Sequence, residues 1–434
     1  MGRPAATRRT CARPGTVHGE DDTSVKRPFD AEHGMPWRVV LASAALLAIT
    51  TGTRQSLGLF VRPLAAAGIG IATVSLILAV GQFFWGAAQP AFGVLAERIG
   101  SYRVVLIGAI LLTAGLALTP FATDPAMLLV SLGVVSAIGG GAASFAILIG
   151  AVGRRVTPEH QPMAASLINA GASIGQLIFA PLAQVVMSLA GWAVALWVLA
   201  GSALLTVVLA RPAVGASNAR DAYVGAEPPA PVRDIVRPAF SSPSYWYLHL
   251  GFFSCGFHIA FLVTHLPGEI AVCGLPSSAA GIALGIIGLV NVLGTVATGW
   301  LSQRHSLRLL LVSVYAIRVL AIGAYLVAPK TLATLYMFST VLGLTWLATV
   351  PLTAGLVGRI FGARYVATLF GLTQLSHQIG GFFGAWLGGI AVSITGNYHW
   401  IWGLDMALAA AAAIVTLPVR ERQADSAADV GAPG

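Results

Sequence analysis

Arg54 lies deep in the first long apolar run of the sequence, 38–62, about 24 Å from the start of that run at the helical rise. A buried guanidinium keeps its proton, and its cost in hydrocarbon runs from roughly 3 kcal/mol on insertion scales to over 10 in simulations. A chain carries such a charge where it faces a wet cavity and meets an anion. The first, second, fourth and fifth apolar runs hold no aspartate or glutamate to neutralise it, and both ends are far for snorkelling. Arg54 is therefore read as a substrate-binding cation for a negatively charged small molecule. The alternative is a purely structural pairing.

Other polar residues recur at helical spacing inside apolar runs. Ser254, His258, Phe261 and His265 stand at i, i+4, i+7 and i+11, on one helix face. Thr373, His377, Gly380 and Gly384 form a similar stripe in the eleventh run, where the glycines also permit close helix packing. Histidine titrates near neutral pH, so His258 and His377 are candidates for substrate binding and for carrying coupling protons. Gln82, Trp85 and Gln89 in the second run and Asn291 in the eighth are polar enough to line a cavity, or to bond between helices. Phe145 and Trp346 are candidate apolar walls of the binding site. Arg318 and Asp405 lie at similar depths in the ninth and twelfth runs and are expected to form a structural ion pair.

The elements that must position these residues follow from composition. Of 434 residues 56% are hydrophobic and 9% charged, against about 25% charged in soluble chains. Apolar runs near twenty residues, without strand alternation, predict an all-α membrane protein rather than a barrel. The formal charge of +9 sits between the runs, so it reads as topology signal, with the lipid bilayer and not nucleic acid as partner. Cys11, Cys255 and Cys273 give no disulfide framework and no metal-ligand spacing. No phosphate-binding loop signature occurs, which speaks against ATP as driver, and no cofactor, metal site or catalytic constellation is expected.

Apolar segments recur at roughly 38–62, 72–92, 104–122, 127–151, 163–188, 192–210, 246–267, 279–300, 308–328, 331–357, 366–393 and 399–418. That is twelve transmembrane helices. The loops after even-numbered segments carry Arg98, Arg103, Arg154, Arg155, Arg304, Arg308, Arg359 and Arg364, whereas those after odd-numbered ones carry only Arg62 and Lys330. The positive-inside rule then puts both termini in the cytoplasm of a multi-pass inner (plasma) membrane protein. Residues 1–35 read as a disordered cytoplasmic tail, with Met35 a second candidate start. A six-helix bundle follows at 36–210, a proline- and arginine-rich cytoplasmic linker at 211–244, a second bundle at 245–420 and a tail at 421–434.

The two bundles echo each other at a near-constant offset. Gly52…Pro63 returns as Gly256…Pro267, Gly93–Arg98 as Gly299–Arg304, and Val152-Gly153-Arg154 as Val357-Gly358-Arg359. Arg54 falls opposite His258. A duplicated six-helix unit of this kind places its substrate site between the halves near the midplane.

The loop from Gly93 through Gly100 to Arg103 resembles the glycine–acid–arginine signature of the major facilitator superfamily, with Glu97 where aspartate is usual and Gln303 for the acid in the second copy. Gly52-x-Arg54 and Ser376-His377-Gln378 resemble the bacterial branch related to monocarboxylate and oxalate–formate porters. Many of those carry a charge in the eighth span, and 281–301 has none. The resemblance implies the major facilitator fold with pseudo-symmetric bundles. It also implies a secondary active transporter working by alternating access, with Glu97, Arg98 and Arg359 gating the cytoplasmic side. The expected substrate is a small organic anion, a monocarboxylate, moved with protons by a monomer. The alternatives are an exporter of hydrophobic or drug-like compounds, for which a cavity acid would be the mark, and a non-transporting sensor.

Overall fold

The computed structural model describes residues 2, 36–153, 155–156, 161–215, 232–362 and 366–421. The tail expected at 1–35 (Gly2 apart), residues 216–231 of the expected linker, Arg154, Arg364 and the end of the chain from 422 lie outside the described residues.

Hydrocarbon offers backbone N–H and C=O groups no partner, so apolar runs wind into helices that bond internally. Among the described residues the regular structure is helical. In chain order the helices that matter are α1 (Trp37–Gln55), α2 (Ile71–Ile99), α3 (Ser101–Leu118), α4 (Pro125–Gly141), α5 (Phe145–Gly153), α6 (Gln161–Val214) and α7 (Val232–Phe240). The second half follows with α8 (Pro243–Val272), α9 (Ser278–Leu301), α10 (Leu307–Val327), α11 (Leu332–Thr345), α12 (Thr349–Phe361), α13 (Val366–Thr395) and α14 (His399–Thr416).

Nine helices among the described residues are long and apolar enough to cross a membrane. The helix α1, with Arg38 and Arg54 in its length, is not one of them. The apolar stretch 163–214 runs 52 residues, about 78 Å at the helical rise and far more than a bilayer holds. It turns back at Gly191, whose φ of 84° breaks the helix. Gly100, φ 90°, does the same between α2 and α3. This glycine of the loop signature is where one helix must stop and the next start at once.

Besides the first run, whose α-helix gives way to a 3-10 turn at Leu57–Phe60, two apolar runs are broken in their middle. One gap separates α4 from α5, the other α11 from α12, and the same interval separates them that relates Arg54 to His258. The second break is capped by side chains. Arg318 of α10 donates from Nη2 to the carbonyls of Thr345 (2.7 Å) and Trp346 (3.0 Å), while the amide oxygen of Asn291 accepts the Leu347 N–H at 3.0 Å. Freed backbone groups at membrane depth need such partners. The expected Arg318–Asp405 ion pair is therefore corrected: Arg318 is committed to the carbonyls of the break, and Asp405 meets a different partner.

The N-terminal and C-terminal halves touch most closely on the side away from the arginine loops. A Cβ on Gly58, just past α1, would collide with the Val263 carbonyl oxygen of α8. On α13, a Cβ on Gly389 would collide with the Ser75 side chain of α2. The first half of α9, at Gly281 and Gly288, rests on Gln184 and on the Ser173 and Leu177 backbone of α6. Closure on this side thus requires glycine. Gly58→Val should prevent it: the variant is expected to insert normally yet cut transport by more than about tenfold, since a volume forced against backbone costs roughly 1–3 kcal/mol or more. Thiol labelling of a reporter cysteine at Leu57 should accelerate in that variant, and an unchanged rate would show that the contact is not the closure.

Candidate functional site

Arg54, Gln82 and Trp85 meet at an internal cavity of about 50 Å³. Its wall draws on both halves, with Ala260, Val263 and Thr264 of α8 facing the α1 and α2 side chains. The helix α1 carries Arg54 in its last turn, and Thr50 and Thr53 beside it also reach the cavity.

The guanidinium is held on two sides. Nη1 donates to Gln82 Oε1 at 2.6 Å, and the group lies 4.1 Å from the centre of the Trp85 ring. A cation over an indole face is stabilised by about 0.5–2 kcal/mol. Neither contact removes the positive charge. The ion pairs among the described residues join His258 to Asp405 and Arg359 to Glu421, and Arg54 takes part in neither. Its Nε has no protein acceptor. A planar cation with uncommitted donors, fixed by a ring and an amide at a small cavity, can accept an anion at two points.

Gln82 continues the network. Its Nε2 donates to Gln378 Oε1 of α13 at 2.6 Å, so a chain of hydrogen bonds runs from α1 through α2 to the second half. Sequence reasoning placed Gln82 among the lining residues and read Gln378 only as part of a motif.

The remaining expected site residues lie elsewhere. His258 turns into the C-terminal half, where its Nδ1 lies 2.7 Å from Asp405 Oδ2 with both side chains buried. Asp405 was expected beside Arg318; the histidine face of α8 meets α14 instead. Trp346 is buried at the α11–α12 break with its ring 6.1 Å from that of His258. His377 packs beside Phe252, ring centres 5.0 Å apart, on the side of α13 that faces α8. Asn291 donates to Ser173 Oγ at 2.6 Å, tying α9 to α6. Phe145 is 37% exposed at the start of α5. None of His258, His377, Asn291, Phe145 and Trp346 borders the cavity that holds Arg54.

Of the expected gating residues, Arg98 is exposed, and the side chain of Glu97 lies outside what is described. Arg359, at the end of α12, donates from Nη1 to Glu421 Oε2 at 2.9 Å. The same carboxylate accepts from the Ser306 hydroxyl (2.6 Å) and the Arg308 N–H (2.5 Å) at the start of α10. Partial burial alone would raise the Glu421 carboxyl, but the bonds from Ser306, Arg308 and Arg359 outweigh it and hold it below the usual range. A carboxyl depressed on folding stabilises the fold above its unfolded value, near 4.3, and loses that contribution as pH falls through the folded value. Glu421→Gln should lower the melting temperature at pH 7 by a few degrees, and the gap from the parent should close as pH drops below about 4. A gap constant with pH would show that the charge is not what holds this corner.

A helical chain with broken membrane helices and a cavity shared by two halves has the anatomy of a transporter. Comparison with known proteins makes the class specific. The sequence profile of the Major Facilitator Superfamily matches residues 40–385 and again 274–432, and this chain belongs to that family. It is a multi-pass membrane transporter and not an enzyme. It is similar to monocarboxylate transporter 13 of Rattus norvegicus, 26% identical over 400 residues that cover 91% of each chain. It also resembles the MFS-type transporter YcxA of Bacillus subtilis, 21% identical across 90% of this chain and 96% of that one. In fold it is similar to a bacterial homologue of the human lysosomal transporter Spinster, solved inward-facing and unoccupied (TM-score 0.68, 16% identity, 88% of this chain and 93% of the other).

Proposed function

We propose that this chain is a secondary active transporter of a small organic anion, a monocarboxylate, that moves its substrate with a proton by alternating access. On this reading the chain crosses an inner (plasma) membrane twelve times in two six-helix halves. The bend at Gly191 divides α6 into two passes, α4 with α5 and α11 with α12 make one broken pass each, and α1 is a pass despite its two arginines. The arginine loops and both termini are cytoplasmic by the positive-inside rule, and Glu97 and Arg98 gate that side.

The observation that carries the proposal is Arg54: a cation in a cavity wall, stacked on Trp85, hydrogen-bonded to neutral Gln82 and in no ion pair among the described residues. A carboxylate completes that arrangement in both charge and geometry. The likeness to monocarboxylate transporter 13 supports the same substrate class. Against an exporter of cationic compounds stands the cavity wall itself, which contains Arg54 and no acid among the described residues. The proton falls to the buried His258–Asp405 pair, which couples from outside the cavity, with His377 on the neighbouring helix.

Uptake of a labelled carboxylate panel into proteoliposomes, with and without an inwardly acidifying gradient, tests this. Uptake of at least one monocarboxylate, stimulated by the gradient and competed by other carboxylates but not by amides, is the expected result. Transport only of neutral or cationic compounds would overturn it.

A further inference from the structure

Gln82 and Gln378 interlock in a way that lining a cavity does not require. Each side chain is seated on a glycine of the opposite helix. A Cβ on Gly86, one turn along α2 from Gln82, would collide with the Gln378 side chain. A Cβ on Gly381, one turn along α13 from Gln378, would sit 2.9 Å from Gln82 Cγ. The amides meet in the middle at 2.6 Å, and both residues are buried. The pair joins the N-terminal half to the C-terminal half at mid-depth, where α2 and α13 begin the close contact that runs outward to Ser75 and Gly389.

We propose that the Gln82–Gln378 pair is a clasp that couples substrate binding to opening between the halves, with Gln378 a positioning residue that acts through Gln82. The inference rests on the reading of Arg54 as the anion's partner. Gln82 Oε1 occupies one guanidinium donor and its Nε2 is given to Gln378. A carboxylate arriving on the uncommitted donors of Arg54 draws the guanidinium away from Gln82. The freed Gln82 amide then turns its N–H toward the new anion, a stronger acceptor than the neutral Gln378 oxygen. Gln378 loses its bond, and α2 is released from α13. Only an anion both grips Arg54 and draws Gln82 away, so substrate lowers the barrier to reorientation and the empty carrier stays clasped. No proton or covalent bond changes hands in this step.

The experiment reads the segment that leads into α2 and the far end of α13, without needing the physiological substrate. Spin labels at Ala67→Cys and Ile394→Cys, in a background with Cys11→Ser and Cys273→Ser, report the distance by pulsed electron resonance in the full chain in nanodiscs. In the ligand-free parent a short distance dominates. Gln378→Met is expected to raise the separated population about three- to tenfold, the worth of one such hydrogen bond. The double variant Gln82→Met/Gln378→Met, which leaves no buried amide unpaired and so guards against a simple folding defect, should do the same. Arg54→Met keeps the clasp and should match the parent. Parent-like distances in both methionine variants would overturn the clasp, and so would opening in Arg54→Met as large as in Gln378→Met. Loss of the anion reading shows separately, as carboxylate uptake surviving in Arg54→Met while the ligand-free distances still follow the clasp.

Discussion

Arg54→Ala is expected to reduce carboxylate uptake by more than about a hundredfold while the protein still inserts and folds. A charged, two-point contact is worth about 1.5–3 kcal/mol. Removing it also leaves the anion's charge uncompensated in a site that excludes most water, which adds to the loss. Arg54→Lys is the sharper variant. It keeps the charge but loses the planar fork and its fit to Gln82 Oε1 and the Trp85 face, so it should retain only about a tenth of the activity or less. Uptake in proteoliposomes normalised to inserted protein checks both. Full activity in Arg54→Lys would mean that the site reads charge alone.

The second large effect concerns the pair that the sequence did not foresee. His258 Nδ1 and Asp405 Oδ2 lie 2.7 Å apart with the two residues 1% and 0% exposed. Asp405 Oδ1 and His258 Nε2 have no protein partner, so each residue depends on the other. Removing one partner of such a pair costs about 3–5 kcal/mol, because it leaves a buried polar or charged group uncompensated, whereas replacing both by apolar residues is often close to neutral. His258→Leu and Asp405→Leu should each lower the melting temperature and expression clearly, and the double variant should recover much of the loss. If the pair also carries the coupling proton, the double variant transports down a substrate gradient but no longer responds to a pH gradient. A stable double variant with the parent's gradient response would leave the pair a packing element only.

These cases show how far the residues speak for themselves. Depth along a helix is legible, because rise per residue is fixed. Arg54 was placed by depth and by the lack of acids around it, and the structure sets it in a cavity wall. Direction around the helix is harder, since a polar stripe faces either the cavity or a neighbouring helix of its own half. His258 and His377 took the second course, and their spacing is the same in both. Arg318 and Asp405 had matching depths and opposite charge. What displaced that pairing was the break after Thr345, whose carbonyls claim Arg318. That break is flanked only by Gly343 and Pro351, a weaker mark than the run Gly139, Gly140 and Gly141 ahead of the earlier one. Asn291 and Trp346 both belong to the break. Gln378 had one available signal, its place in the stretch Ser376-His377-Gln378, and nothing in its spacing to link it to Gln82.

The central claim is that Arg54 is the anion's partner. Equilibrium binding of a radiolabelled monocarboxylate to the purified protein, by scintillation proximity, tests it without the complications of coupling or orientation. The parent should bind a carboxylate saturably, be competed by other carboxylates and not by their amides, and lose that binding in Arg54→Met while Gln89→Met retains it. Carboxylate binding of equal affinity in the parent and in a folded Arg54→Met protein would contradict the account.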